Sequence, residues 1–169
     1  STTAATPPLM SDSTKVAIAC QGGGSHTAFT AGVLKELLRE WDDECELVGI
    51  SGTSGGAFNA LATWYGLVTA DAERSIDLLD AIWDDLSASD LSDQFVNEFV
   101  VGLSRLASAG VPMFEVSPYD VPGAEVGKDA IRETLERYID FEEIPDLCRR
   151  NVPELVVGTV NVNAGSFET

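Results

Sequence analysis

Positive charge is what this chain has least of. Lysine and arginine together number 10 against 28 aspartates and glutamates, a formal net charge of −18. The lysines are Lys15, Lys35 and Lys128 alone. Such a surface repels nucleic-acid phosphates, and it repels anionic membranes unless salt screens the charge. The three cysteines, Cys20, Cys45 and Cys148, are an odd number without metal-ligand spacing. They do not form the disulfide framework of a small secreted domain, and no metal site or cofactor is expected. No apolar run approaches the roughly 18 residues of a membrane-spanning helix. Residues 1–14 lack the charged and apolar regions of a signal peptide and read as a flexible tail, so a cytoplasmic protein is expected. No Gly-Lys-Ser/Thr of a phosphate-binding P-loop is present, which argues against a kinase or ATPase of that type.

The acidity is not that of a disordered chain, because 44% of the residues are hydrophobic. A folded domain this acidic and lysine-poor reads as halophilic: excess surface carboxylate keeps it soluble in concentrated salt, and self-repulsion loosens it when salt is withdrawn. The length of 169 residues fits one domain, here residues 15–169.

The densest signal is Gly49-Ile50-Ser51-Gly52-Thr53-Ser54-Gly55-Gly56-Ala57. An apolar stretch over residues 46–50 runs into it and an alanine-rich helical segment follows. That is the strand, sharp turn and helix of a G-x-S-x-G nucleophile elbow. Only Ser54 has glycine two places away on both sides, Gly52 and Gly56. A serine at the tip of so tight a turn leaves no room for neighbouring Cβ atoms. Its Oγ stands exposed, and the following helix aims its first N–H groups at the same place. Gly52, Thr53, Gly55 and Gly56 form the elbow.

A second glycine cluster lies about 30 residues upstream. Lys15-Val16-Ala17-Ile18-Ala19-Cys20 reads as a short buried strand, ending in Gln21-Gly22-Gly23-Gly24-Ser25-His26. The helix after it takes its apolar face from Ala28, Ala31, Val33, Leu34, Leu37 and Leu38. Three glycines between strand and helix leave N–H groups bare, which suits a phosphate or the oxyanion of a tetrahedral intermediate. His26, the single histidine, precedes Ser54. The usual order for this elbow is serine, then acid, then histidine, so a triad of that order is excluded and the base for Ser54 is most simply a carboxylate.

On these residues the chain resembles the N-terminal part of a patatin-like phospholipase domain. The matching pieces are Gly22-Gly23-Gly24 with Ala31-Gly32-Val33-Leu34, and Gly52-Thr53-Ser54-Gly55-Gly56-Ala57. More loosely, Leu155-Val156-Val157-Gly158-Thr159-Val160-Asn161-Val162 resembles the family's next core strand. The likeness is specific over about residues 15–65. It implies a Ser-Asp dyad without histidine, acyl ester hydrolysis, Ser54 as nucleophile and Gly22, Gly23 and Gly24 as the oxyanion loop. Two places depart from the family pattern. His26 and Thr27 stand where a basic residue and glycine are usual, and no Asp-Gly dipeptide, the family's setting for the dyad aspartate, occurs in the 169 residues. The chain is therefore expected to be a fragment, with the aspartate supplied by a later segment or a second chain.

Further helices are predicted from about residue 71 to 86, with Asp71 as N-cap, and over 93–109, 128–139 and 141–149. The one over 93–109 carries Phe95, Val96, Phe99, Val100, Leu103 and Leu106 as core packing or as a lid or acyl-chain wall. Trp64 and Trp83 are expected in the core. Asp42-Asp43-Glu44 and Asp84-Asp85 are expected on the solvated surface. A rigid loop is predicted over 117–123. Strands alternating with helices imply a three-layer α/β/α fold with a mainly parallel sheet, with Ser54 at the carboxyl end of its strand.

Three functional readings follow. The first is a serine acyl hydrolase acting on lipid or other carboxylic esters. The second is a lipid-binding or scaffold protein lacking its catalytic base. The third is a dinucleotide site, from Gly22-x-Gly24-x-x-Thr27 with Asp43 and Glu44 near the ribose position; it lacks the third glycine and leaves the Ser54 elbow unexplained.

Overall fold

The computed structural model describes residues 13–23, 26–88, 124–161 and 166–169. Strands β1 (Thr14–Cys20), β2 (Cys45–Thr53), β3 (Glu154–Asn161) and β4 (Ser166–Glu168) form one sheet in that order. The first three are parallel, and β4 runs antiparallel along β3. Ile18, Ile50 and Leu155 are cross-strand partners on one face of the sheet and join the core. The register of β1 on β2 shifts between Val16 and Ala17, which leaves Val48 as the extra residue of a bulge. Without that shift the alternation would carry Ile18 and Cys20 to the opposite face.

The helices are α1 (Thr27–Arg39), α2 (Gly55–Thr69), α3 (Ala72–Ala88), α4 (Ala124–Tyr138) and the single turn α5 (Ile144–Leu147). Helix α2 lies on the sheet, α3 packs on α2, and α1 packs on both. The chain enters β3 past Trp64, whose indole donates to the Pro153 carbonyl at 2.7 Å. Asp71 caps α3 by accepting from the Arg74 N–H at 2.9 Å, as predicted. An ion pair from Lys35 to Asp80 joins α1 to α3. Asp85 holds α4 through Arg137 and through the Tyr138 hydroxyl, which donates at 2.8 Å. Asp85 is therefore a bridging acceptor rather than free surface charge, whereas Asp42, Asp43, Glu44 and Asp84 are exposed.

The elbow helix is not covered on one side alone. Every residue from Asn59 to Gly66 is buried, because sheet, α1 and α3 surround it. At Gly66 it is set directly against the Ser75 backbone. The Thr63 hydroxyl is buried and has no hydrogen-bond partner among the described residues. Helix α1 differs in the other direction. Its buried positions are Thr27, Ala31, Leu34 and Leu38, one narrow stripe. Phe29 is 77% exposed, Val33 50% and Leu37 40%. Its apolar surface is thus wider than the surface α2 and α3 cover. Helix α4 starts at Ala124, earlier than the predicted residue 128. Of the predicted tail over residues 1–14, Thr14 instead opens β1, and residues 1–12 lie outside the described residues, as do the predicted helix over 93–109 and loop over 117–123. Among the described residues, no helix is long and apolar enough to cross a membrane.

Candidate active site

Ser54 sits between the last residue of β2 and the first of α2. Its backbone has φ 54° and ψ −133°, and it is the one non-glycine residue with positive φ among those described. This region is sterically costly for an L-residue and persists only where the surroundings over-determine it. Those surroundings are the glycines. A Cβ on Gly52 would collide with the carbonyl of Gly56 and approach the Ala57 nitrogen to 2.8 Å. A Cβ on Gly56 would collide with the carbonyl of Cys20, at the end of β1, and reach within 2.7 Å of that of Gln21. The end of β1, the end of β2 and the first turn of α2 therefore meet with backbone against backbone. The serine can neither relax into the strand nor join the helix.

The Ser54 side chain makes no capping hydrogen bond to α2, although serine is a favoured N-cap residue. Its carbonyl accepts from the Ala57 N–H at 2.8 Å. The N–H groups of Gly55 and Gly56, in the first turn, have no intrahelical acceptor. No acidic residue lies in that turn to offset the positive end of the helix.

The other glycine cluster arrives from β1. A Cβ on Gly22 would lie 2.9 Å from the Thr53 carbonyl and 3.2 Å from the Ser54 Cβ, so the loop backbone passes directly against the serine. The Gly23 carbonyl accepts from the His26 N–H at 3.2 Å, closing a turn that delivers the chain into α1. His26 is exposed at the N-cap of α1 and makes no side-chain cap. Gly24 lies outside the described residues. The sequence-predicted residues Gly22, Gly23, Gly52, Thr53, Ser54, Gly55 and Gly56 are thus gathered at one end of the parallel strands.

The chain belongs to the patatin-like phospholipase family. The family model described as Patatin-like phospholipase matches residues 18–168, nearly the whole chain. The search of curated proteins and the search of solved structures return no match. Family membership and the α/β sheet agree with the resemblance drawn from the two glycine clusters.

A residue that sequence reasoning missed stands behind this patatin-like arrangement. Asn59, in the second turn of α2, is fully buried. Its amide donates to the Thr27 carbonyl at 2.8 Å and accepts from the Trp83 indole at 2.7 Å. The only available signal was a polar residue inside an alanine-rich run. Among the described residues, no group of three or more His, Cys, Asp or Glu side chains is placed to hold a metal ion.

Beside the elbow, on the strand ends, lies a groove of about 370 Å³ whose lining includes Ala19, Cys20, Ser51, Thr53 and Val156. Burial pushes the Cys20 thiol up to about 11. Tyr65 is raised as well, first by burial and then by its hydrogen bond to Glu143. A thiol with a raised pKa holds its proton more tightly when folded than when unfolded. Its contribution is complete below its ordinary value of 9.0 and is lost as pH climbs toward 11. Thermal melts are expected to weaken across that window, and less so in Cys20→Ala. Equal alkaline losses in the two proteins would remove Cys20 from this account.

Proposed function

We propose that this chain is the serine-bearing part of a lipid acyl hydrolase. The single observation that carries the reading is Ser54 held at positive φ on a strand-to-helix turn, with its hydroxyl unused as a helix cap. In this mechanism Ser54 Oγ attacks an ester carbonyl while an aspartate takes the hydroxyl proton. The N–H groups of Gly23 and Gly24, with the field of α2, stabilise the tetrahedral oxyanion, and Gly22 sets their approach. Collapse expels the alcohol, which leaves with the proton, and water then hydrolyses the acyl-enzyme. With no Asp-Gly dipeptide in these 169 residues, the aspartate comes from a later segment or a second chain. The acidic, lysine-poor composition fits a salt-rich setting for this chemistry.

The test is the intact mass of the protein before and after a fluorophosphonate, beside Ser54→Ala. One adduct on the parent protein and none on the variant is expected. An adduct that survives in Ser54→Ala would remove the serine from this role. A complete gene product that also lacked an Asp-Gly motif would favour a second reading, a lipid-binding or scaffold protein. It predicts no adduct on either protein even when the complete gene product is used.

A further inference from the structure

We propose that Asn59 is a positioning residue that fixes the glycine loop against Ser54, an inference that rests on the hydrolase reading above. Three elements converge on this one amide. Asn59 belongs to α2, the helix that begins at Ser54. It donates to the carbonyl of Thr27, the first residue of α1, at 2.8 Å. It accepts from the indole of Trp83 on α3 at 2.7 Å.

The partners leave the amide one orientation. An indole N–H only donates and a carbonyl only accepts, so Oδ1 faces Trp83 and Nδ2 faces Thr27. The side chain has no accessible surface, so water cannot replace either bond. Thr27, itself buried, is the residue at which the glycine loop becomes helix. One residue before it, the His26 N–H closes the turn onto the Gly23 carbonyl. At the other end of that turn, Gly22 passes against Thr53 and Ser54. The path Ser54, α2, Asn59, Thr27, Gly23, Gly22 and back to Ser54 is a closed ring. Asn59 supplies the link between α2 and Thr27 through its side chain. Core filling does not require an amide here, since leucine has the same branched side-chain skeleton, though it is larger, and no polar atoms to satisfy.

The position of the oxyanion donors relative to the serine then depends on Asn59 without its touching substrate. Asn59→Leu removes both bonds, and Trp83→Phe removes only the one that orients the amide. The fluorophosphonate labelling rate constant and the final extent of labelling are measured separately. Hydrogen exchange is followed over residues 22–30. A positioning role predicts that Asn59→Leu slows labelling at least tenfold while labelling still runs to one adduct per chain. Trp83→Phe slows it less, and exchange quickens selectively near Thr27. A merely structural role lowers the labelled fraction and leaves the rate constant of the folded remainder unchanged; that result overturns the inference. Unchanged exchange near Thr27 in both variants also overturns it. If the parent protein takes no adduct at Ser54, the hydrolase reading fails instead, and the exchange arm alone decides whether Asn59 holds the loop. Trp83→Phe keeps the test available if Asn59→Leu does not fold.

Discussion

Gly66→Ala is expected to destabilise the protein by about 2 kcal/mol, while Gly32→Ala stabilises it by somewhat less than about 1 kcal/mol. Both glycines lie inside helices, where alanine has the better intrinsic propensity. They differ in what a methyl group would meet. At Gly32, on the exposed side of α1, there is nothing within 4 Å. At Gly66 the methyl would overlap the nitrogen and Cα of Ser75, where α2 and α3 cross. No rotamer change relieves a clash with backbone, so the two helices must separate. That separation would also disturb the Ser75 hydroxyl, which donates to the Thr63 carbonyl at 2.8 Å. Overpacking of about 1–3 kcal/mol outweighs the propensity gain. The midpoint of Gly66→Ala should fall by several degrees, at about 2–4 °C per kcal/mol for a chain of this size. Thermal or urea unfolding of the two variants side by side checks the pair. A Gly66→Ala protein as stable as its parent would mean that α2 and α3 are not this close.

Gly22→Ala is expected to slow fluorophosphonate labelling at Ser54 by about two orders of magnitude, the scale on which one oxyanion donor acts. The added Cβ would sit 2.9 Å from the Thr53 carbonyl and 3.2 Å from the Ser54 Cβ. Those atoms belong to the elbow, which the glycines on either side of Ser54 hold rigid, so the loop is the part that moves. A shift of a few tenths of an ångström carries its N–H groups away from the developing oxyanion. A cooperative melting transition should be retained, because Gly22 is only half-buried and the loop gives way rather than the strands. Labelling is followed by mass against time for parent and variant. A rate within twofold of the parent would mean that the approach of Gly22 to Ser54 does not govern reactivity.

Much of the site was legible in the chain because its constraints are local. A glycine two places either side of Ser54 announces a turn that only bare backbone permits, and that turn carries Ser54 to φ 54°. The three parallel strands were legible as short apolar runs, though β4 was not, and the Asp71 cap as an acidic residue ahead of a periodic segment. Other features needed partners far along the chain. Nothing local distinguishes Asp85, which receives Tyr138 and Arg137 from α4, from Asp84, which is exposed. Nor does the run from Asn59 to Gly66 reveal burial on every side. The hydrophobic pattern of a helix reports its own faces, not how many elements will cover them.

The sequence by itself determined the two strand-to-helix glycine turns and the place of Ser54 at the tip of the second. These follow from sterics and residue inventory within a few positions. The tertiary structure alone decided that the two turns meet, with Gly22 against Ser54 and Gly56 against the carbonyl of Cys20. It also decided that Asn59 ties them together through Thr27 and Trp83. The physical reason is separation along the chain. Asn59 and Thr27 are 32 residues apart, and their bond exists only once β1 and β2 pair in parallel and α1 and α2 pack side by side. Local rules shape each turn, but the approach of one turn to another is set by sheet register and helix packing.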